Sequence, residues 1–256
     1  PSEIMKLAMP MTVAAFLHRR SLPPRLTTIA ITLALIGIPT ALIAVQPDLG
    51  TALLIVAAGG FALFFAGFGW RWIFGALIAA AAAAPVLWSR LHDYQRDRIM
   101  IFLNPERDPL GAGYHITQSK IAIGSGGLFG KGWLHGTQAK LEFLPEAHTD
   151  FIFAVYSEEF GLLGILMLLA LYLAIVGRGL YISTRAQDTF QRLLGASLSL
   201  TFCIYIFINT GMVIGLMPVV GVPLPLISYG GSAVVNLLIC FGMLMSIQTH
   251  RKLLSS

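Results

Sequence analysis

Charge is what this 256-residue chain has least of: Asp, Glu, Lys and Arg together make up 11% of it. A soluble domain carries about 25%, so too few charged groups exist here to cover a water-facing surface. That shortage excludes a soluble enzyme, a disordered tail and a coiled coil. Cysteine is nearly missing as well. Cys203 and Cys240 both lie in apolar runs and read as small membrane-embedded side chains, not as a disulfide or metal site. No Lys/Arg-rich run with interleaved aromatics occurs, so the net charge of +5 does not point to nucleic acid. The long apolar runs do not alternate, which argues against a β-barrel. What is present instead is 56% hydrophobic residues and a mean hydropathy of +0.78. The expected fold is all-α: a polytopic helical membrane protein forming a single membrane domain over residues 1–256.

About 20 apolar residues cross a bilayer, and six stretches qualify: 27–45, 49–66, 70–88, 151–176, 193–217 and 233–247. A shorter seventh, 4–17, carries Lys6. If the seven alternate, Arg19, Arg20, Arg25, Arg71, Arg178, Arg185, Arg192, Arg251 and Lys252 fall on one side. The opposite short connections, 46–48 and 218–232, contain no Lys or Arg. Cytoplasmic loops are the ones enriched in positive charge, so the basic side is cytoplasmic and the long loop 89–150 lies outside. Its 62 residues hold seven Lys/Arg, seven Asp/Glu and many aromatics, a structured segment with the side chains needed for chemistry.

Ionisable groups within or beside spans are costly and mark function by default. Glu3 and Lys6, at i and i+3, share a helix face and can pair. Asp48, after Pro47, reads equally as an N-cap for the next span. Asp150 ends a polar run and opens the fifth long span, where loop, water and bilayer meet. Glu158 and Glu159 follow in the same helix, and adjacent helical residues point about 100° apart; at least one should face a polar cavity. The connection 217–232 is apolar but broken by three prolines and several glycines, so it cannot be regular helix. It reads as a re-entrant segment with Ser228, Tyr229 and Ser232 as polar tips. The glycine-rich run 124–132 lacks the spacing of a phosphate loop, and the histidines show no zinc pattern. Gly59, Gly60 and the alanine run 79–84 read as sites of close helix packing.

Four longer stretches carry a resemblance: Asp93-Tyr-Gln-Arg-Asp-Arg-Ile99, Asn104-Pro-Glu-Arg-Asp-Pro-Leu-Gly-Ala-Gly-Tyr114, Leu144-Pro-Glu-Ala-His-Thr-Asp-Phe151 and Pro225-Leu-Ile-Ser-Tyr-Gly-Gly-Ser232. They resemble the SEDS family (shape, elongation, division and sporulation). Gly130-Lys-Gly-Trp-Leu-His-Gly-Thr-Gln138 and Gly221-Val-Pro-Leu-Pro225 look like its elongation branch more than its division branch. The resemblance implies a peptidoglycan glycosyltransferase of the bacterial inner membrane with its active site on the extracytoplasmic side. Its substrate would be lipid II, an undecaprenyl-pyrophosphate-linked disaccharide pentapeptide, and its partner a class B penicillin-binding protein. The family's essential loop aspartate matches Asp150, here the expected general base. Its outer-cavity Glu and Lys match Glu3 and Lys6, and its Tyr-Gly-Gly-Ser motif matches Tyr229 to Ser232.

Arg98, Lys120 and Lys6 are the candidate partners of the pyrophosphate, with Arg96 and Lys140 behind them; Asp48, Gln95 and Ser232 complete the substrate-binding set. A divalent cation, Mg or Mn, would suit that chemistry, without ligands the sequence can name. The family usually has about ten spans, so a chain that starts at Pro1 with seven is expected to lack three N-terminal ones. Two other readings stay open at this point: a lipid II flippase, and a non-catalytic scaffold for the penicillin-binding protein.

Overall fold

A computed structural model describes residues 2–46, 48–90, 93–105, 108, 111–141, 143–144 and 146–249. Side chains are described for these except 73, 76, 77, 80, 84–87, 89, 90, 93, 94, 112 and 139. Pro1, Pro47, Arg251 and Lys252, named above, lie outside the described residues, as do positions 106, 107, 109, 110 and 145 of the motifs quoted there.

Every described element is a helix: α1 (Ser2–His18), α2 (Leu26–Val45), α3 (Leu49–Phe65), α4 (Trp70–Arg90), α5 (Asp93–Leu103), α6 (Ala112–Gly126), α7 (Thr137–Lys140), α8 (Ile152–Thr184), α9 (Thr189–Val213) and α10 (Gly231–Thr249). A helix stands at each of the seven places read as spans, and α5, α6 and α7 fall within 89–150. By length and composition α2, α8, α9 and α10 can each cross a membrane, and α3 is a shorter apolar helix. In hydrocarbon every backbone N–H and C=O must pair within the chain, and a helix does so inside one segment. That is why apolar runs of this length become helices.

The chain divides into two compact units. The first comprises residues 1–68, 168–207 and 222–256. Its core joins Met9, Val13 and Leu17 of α1 to Ile29, Ile36 and Ile43 of α2, Ile55 and Ala62 of α3, and Leu193 and Leu198 of α9. Gly59 is where α3 comes closest to its neighbours: a Cβ there would stand 2.6 Å from Ile36 Cγ1 and 3.2 Å from Met9 Cγ. At Gly60, the next residue, a Cβ would meet nothing within 4 Å, so only one of the pair serves close packing. Ser197 of α9 donates to the Ala58 carbonyl, tying the two helices by a polar contact in an apolar setting. The outward face of α2 carries Ile31, Leu33, Ile38, Leu42 and Val45, all exposed. Exposed aliphatic surface of that extent suits lipid, not water.

The second unit comprises residues 69–167 and 208–221. Here Ile116 and Ala122 of α6 are buried with Leu144 and Phe151. Ser119 bonds the Val213 carbonyl at the end of α9 (2.8 Å). In α4, Ala79, Ala81 and Ala82 are exposed, so this part of the alanine run is not a packing seam within the chain.

α8 is 33 residues long and broken at Gly161, whose φ of 63° and ψ of −163° belong to a region essentially reserved for glycine. Glu158 lies just before the break with its side chain fully buried. It meets no cavity. Its Oε1 accepts from Lys131 Nζ (2.6 Å), Thr137 N (2.9 Å), the Thr137 hydroxyl (2.8 Å) and the Ser125 hydroxyl (3.4 Å), and its Oε2 from Gln138 N (3.1 Å). The polar surroundings of Glu158 are thus supplied by residues 125–138 of the loop.

Candidate active site

Asp150 stands at the end of a turn that precedes α8. Thr149 N and Phe151 N both donate to the Glu146 carbonyl (3.2 and 3.1 Å), which curls residues 146–151 tightly. Phe151 is 2% exposed and its ring lies 5.7 Å from that of His115 on α6. Asn209 of α9 donates its Nδ2 to the Asp150 carbonyl at 2.9 Å. The main chain of Asp150 is therefore fixed by the buried ring of the next residue and by a buried amide. Its carboxylate points toward the connection after α9: Oδ2 lies 3.4 Å from where a Cβ on Gly221 would stand. Partial burial, and after it the negative charge of Glu146, hold the Asp150 carboxyl above the usual carboxylate range. A carboxylate moved in that direction is a better proton acceptor near neutral pH.

The same unit holds three of the other candidates. Gln95 and Arg98, at i and i+3, lie on one face of α5, both half-buried. Arg96, between them, donates its Nε to the Trp88 carbonyl (3.0 Å). Lys120 is exposed on α6, with Nζ 2.7 Å from the place of a Cβ on Gly215. Gly215 has a φ of 75°, so a side chain there would be strained as well as crowded.

The remaining four candidates belong to the other unit. Glu3 and Lys6 form an ion pair across one turn of α1. Lys6 is 7% exposed, and a buried ammonium is tolerable only with a partner of this kind. Its charge also lies 5.5 Å from the centre of the Tyr205 ring, within reach of a cation–π attraction. Asn236 of α10 donates to Glu3 Oε2 (2.8 Å) and to the Glu3 carbonyl (3.1 Å). Beside this group lies a small, largely apolar cavity of about 30 Å³, with Lys6, Thr201, Tyr205, Ser228 and Asn236 in its wall.

Asp48 caps α3 by accepting from Thr51 N (3.0 Å). Ser232 is exposed in the first turn of α10. The connection before it is non-helical, as its prolines demand, but Ser228 is not a polar tip. It is buried, and its hydroxyl accepts from Leu224 N (2.7 Å), which folds the loop back on itself. Tyr172 donates to the Pro225 carbonyl and pins the same loop (2.7 Å).

Asn209, Asn236 and Tyr205 were not among the residues singled out from sequence. The available signal was an amide side chain within an apolar helical run, which in a membrane must find a partner.

The chain matches the FtsW/RodA/SpoVE cell cycle protein model over residues 1–253. It is 60% identical over all its 256 residues to the peptidoglycan glycosyltransferase MrdB of Escherichia coli, covering 69% of that protein. It is 39% identical over 254 residues to a probable peptidoglycan glycosyltransferase FtsW of Geobacter metallireducens, covering 98% of this chain and 67% of that one. Among solved structures, it superposes with a TM-score of 0.83 and 31% identity on a chain from work on the structural coordination of polymerization and crosslinking by a peptidoglycan synthase complex. The match covers 99% of this chain and 70% of that one. The rod shape determining protein RodA of Thermus thermophilus gives a TM-score of 0.67 at 25% identity, over 98% of this chain and 67% of the other. The motifs, the helical architecture and these likenesses agree, and the chain belongs to the FtsW/RodA/SpoVE family of cell cycle proteins.

Proposed function

We propose that this protein is a peptidoglycan glycosyltransferase of the bacterial inner membrane, polymerising lipid II into β-1,4 glycan strands during cell elongation on the extracytoplasmic side. The observation that carries the reading is the identity of 60% along the whole chain with a relative named for that activity. The setting of Asp150 supplies a chemical means. Asp150 takes the proton from the 4-hydroxyl of an acceptor sugar. That oxygen attacks the anomeric carbon of the donor from the face opposite its pyrophosphate, and a new C–O bond forms. The bond from that carbon to the pyrophosphate oxygen breaks, and the lipid pyrophosphate leaves with the electron pair. Displacement from behind inverts the anomeric centre. A base in this position contributes roughly 10²–10⁴-fold.

Negative charge grows on the departing pyrophosphate, so cations should face it. Arg98 and Lys120, in the same unit as Asp150, are the candidates. Among the described residues, no group of three or more His, Cys, Asp or Glu side chains comes together to ligate a metal. A divalent cation, Mg or Mn, would supply positive charge to the pyrophosphate, with no residue of this chain assigned to hold it. The partner in this reading is a class B penicillin-binding protein, supported by the likeness to a chain from a polymerising and crosslinking complex.

The test is to incubate the purified protein with lipid II, alone and with the penicillin-binding protein, and separate the products on a gel. Glycan ladders that vanish in Asp150→Asn support the assignment. Ladders that persist undiminished in Asp150→Asn overturn the role of Asp150. Failure of the wild-type protein to form ladders with its partner present, together with passage of labelled lipid II across vesicle leaflets, would replace catalysis with transport.

A further inference from the structure

The glycine-rich run 124–132 has no part in the mechanism above, yet it makes one of the more unusual backbone arrangements in the chain. In an unbroken α8 the carbonyls of Glu158 and Glu159 would accept from Leu162 and Leu163. Instead, they accept from Lys131 N (3.0 Å) and Gly132 N (2.9 Å). The N–H groups of Leu162 and Leu163 donate to the carbonyls of Gly127 (2.9 Å) and Leu128 (3.1 Å). Four groups orphaned by the break at Gly161 are thus paired with the main chain of the loop. Glycine permits the approach: a Cβ on Gly126 would stand 2.2 Å from the Ser157 carbonyl oxygen, and one on Gly130 2.1 Å from that of Glu159. The loop therefore sits at the level of residues 158–163 of α8.

That level can be placed against the bilayer. A span needs about 20 residues, and 162–177 contains no charged side chain. Arg178 must reach the headgroups at the inner end. Counting a span's length back from Arg178 arrives at the break in α8. At that level the loop turns outward four large apolar side chains: Leu128 at 61% exposure, Phe129 at 78%, Trp133 at 66% and Leu134 at 66%. The exposed leucines 162, 163 and 166 and Met167 of α8 continue from the residues to which the loop is bonded. The loop's cation is engaged within the protein, with Lys131 Nζ on Glu158 and Thr137.

We propose that residues 127–134, though part of the long polar loop, are an interfacial lipid-contact segment, with Phe129 and Trp133 in the headgroup–acyl boundary of the leaflet opposite Arg178. The occupant of the exposed face is lipid, because the face continues a helix surface that already lies in hydrocarbon. Aromatic rings of this kind are enriched at that boundary. The anchor is rigid, being paired to α8 through main chain and through buried Glu158. It fixes the height of the start of α8, and of Asp150 two residues before it, above the bilayer. The importance of that height for catalysis rests on the function proposed above; the lipid contact does not.

The test uses the full chain in phosphatidylethanolamine/phosphatidylglycerol vesicles. Trp70, Trp72 and Trp88 are changed to Phe so that Trp133 alone emits. Lipids brominated near the headgroup should quench Trp133 more strongly than lipids brominated near the chain ends, and aqueous acrylamide should quench it weakly. Full quenching by acrylamide with none from either bromolipid overturns the proposal. So does protection from acrylamide that arises only when a penicillin-binding protein is added, which would make the face a protein interface. If the triple Phe variant fails to fold, Phe129→Cys with Cys203→Ala and Cys240→Ala carries a spin label to the same segment. Relaxation by oxygen over that by a water-soluble nickel chelate supports lipid contact, and the reverse order overturns it. None of these readouts depends on glycan synthesis, so lipid contact is measured even in a protein that makes no glycan.

Discussion

Asn209 and Asp150 are 59 positions apart in the chain, yet the Asn209 amide donates a 2.9 Å hydrogen bond to the Asp150 main-chain carbonyl. Asn209 is fully buried, so the bond is made away from competing water. It leaves the Asp150 carboxylate uninvolved and holds the backbone from which that carboxylate projects. Asn209→Ala should lower kcat of glycan polymerisation by roughly 10–10²-fold, because small misplacements of a catalytic group cost on that scale. KM should change little. An unchanged kcat in protein of normal thermal stability would mean that the bond is purely structural.

Asp150 should set the acid side of the pH–rate profile. Its carboxyl is held above the usual range first by burial and second by Glu146, so the rate should fall on acidification at a pH above that of a free carboxylate. Glu146→Gln removes the second cause only, and the acid limb should move to lower pH while staying above the free value. A limb that does not move would show that Glu146 is too well screened by water to matter.

The same shift has a consequence for stability. A carboxyl whose folded-state pKa is raised stabilises the fold most below its unfolded pKa, and that contribution is lost as pH rises through the folded value. At neutral pH the ionised Asp150 is therefore a burden on the fold. Asp150→Asn should abolish most activity while leaving the melting temperature equal or higher. A large drop in melting temperature would mark Asp150 as a structural residue instead.

Lys131 and Glu158 pair at 2.6 Å, but unequally: the Lys131 side chain is 31% exposed and that of Glu158 not at all. Losing the lysine strands a buried carboxylate, whereas losing the acid leaves an ammonium that can turn to water. Lys131→Met should therefore cost about 3 kcal/mol and Glu158→Gln about 1 kcal/mol, measured by unfolding in detergent. Equal losses would mean that the Thr137, Gln138 and Ser125 donors, not Lys131, sustain the carboxylate.

Gly161 meets both of the conditions that demand glycine. Its φ is 63°, and a Cβ there would stand 2.3 Å from Gly130 N. Gly161→Ala should destabilise by about 1–3 kcal/mol from the backbone alone, with more from the clash. Increased proteolysis within 127–134 should accompany it as the loop separates from α8. An alanine variant with wild-type stability and resistance to protease would mean that α8 can run unbroken.

Much of this molecule was legible along the chain. The shortage of charge, the length of the apolar runs and the prolines of 217–232 are local properties, and a bilayer reads local properties directly: apolar stretches long enough to cross become helices, and prolines forbid them. The Glu3–Lys6 pair and the Asp48 cap were legible for the same reason, since both partners lie within one helical turn. What the tertiary structure alone decided are the bonds between distant residues. Asn209 reaches Asp150, Asn236 reaches Glu3, and a glycine run that looked idle completes a broken helix 27 to 35 residues further along. Composition and periodicity report whether a side chain prefers lipid or water. They carry no record of which polar group, far along the chain, arrives to satisfy a buried one, because that choice is made only when the helices pack.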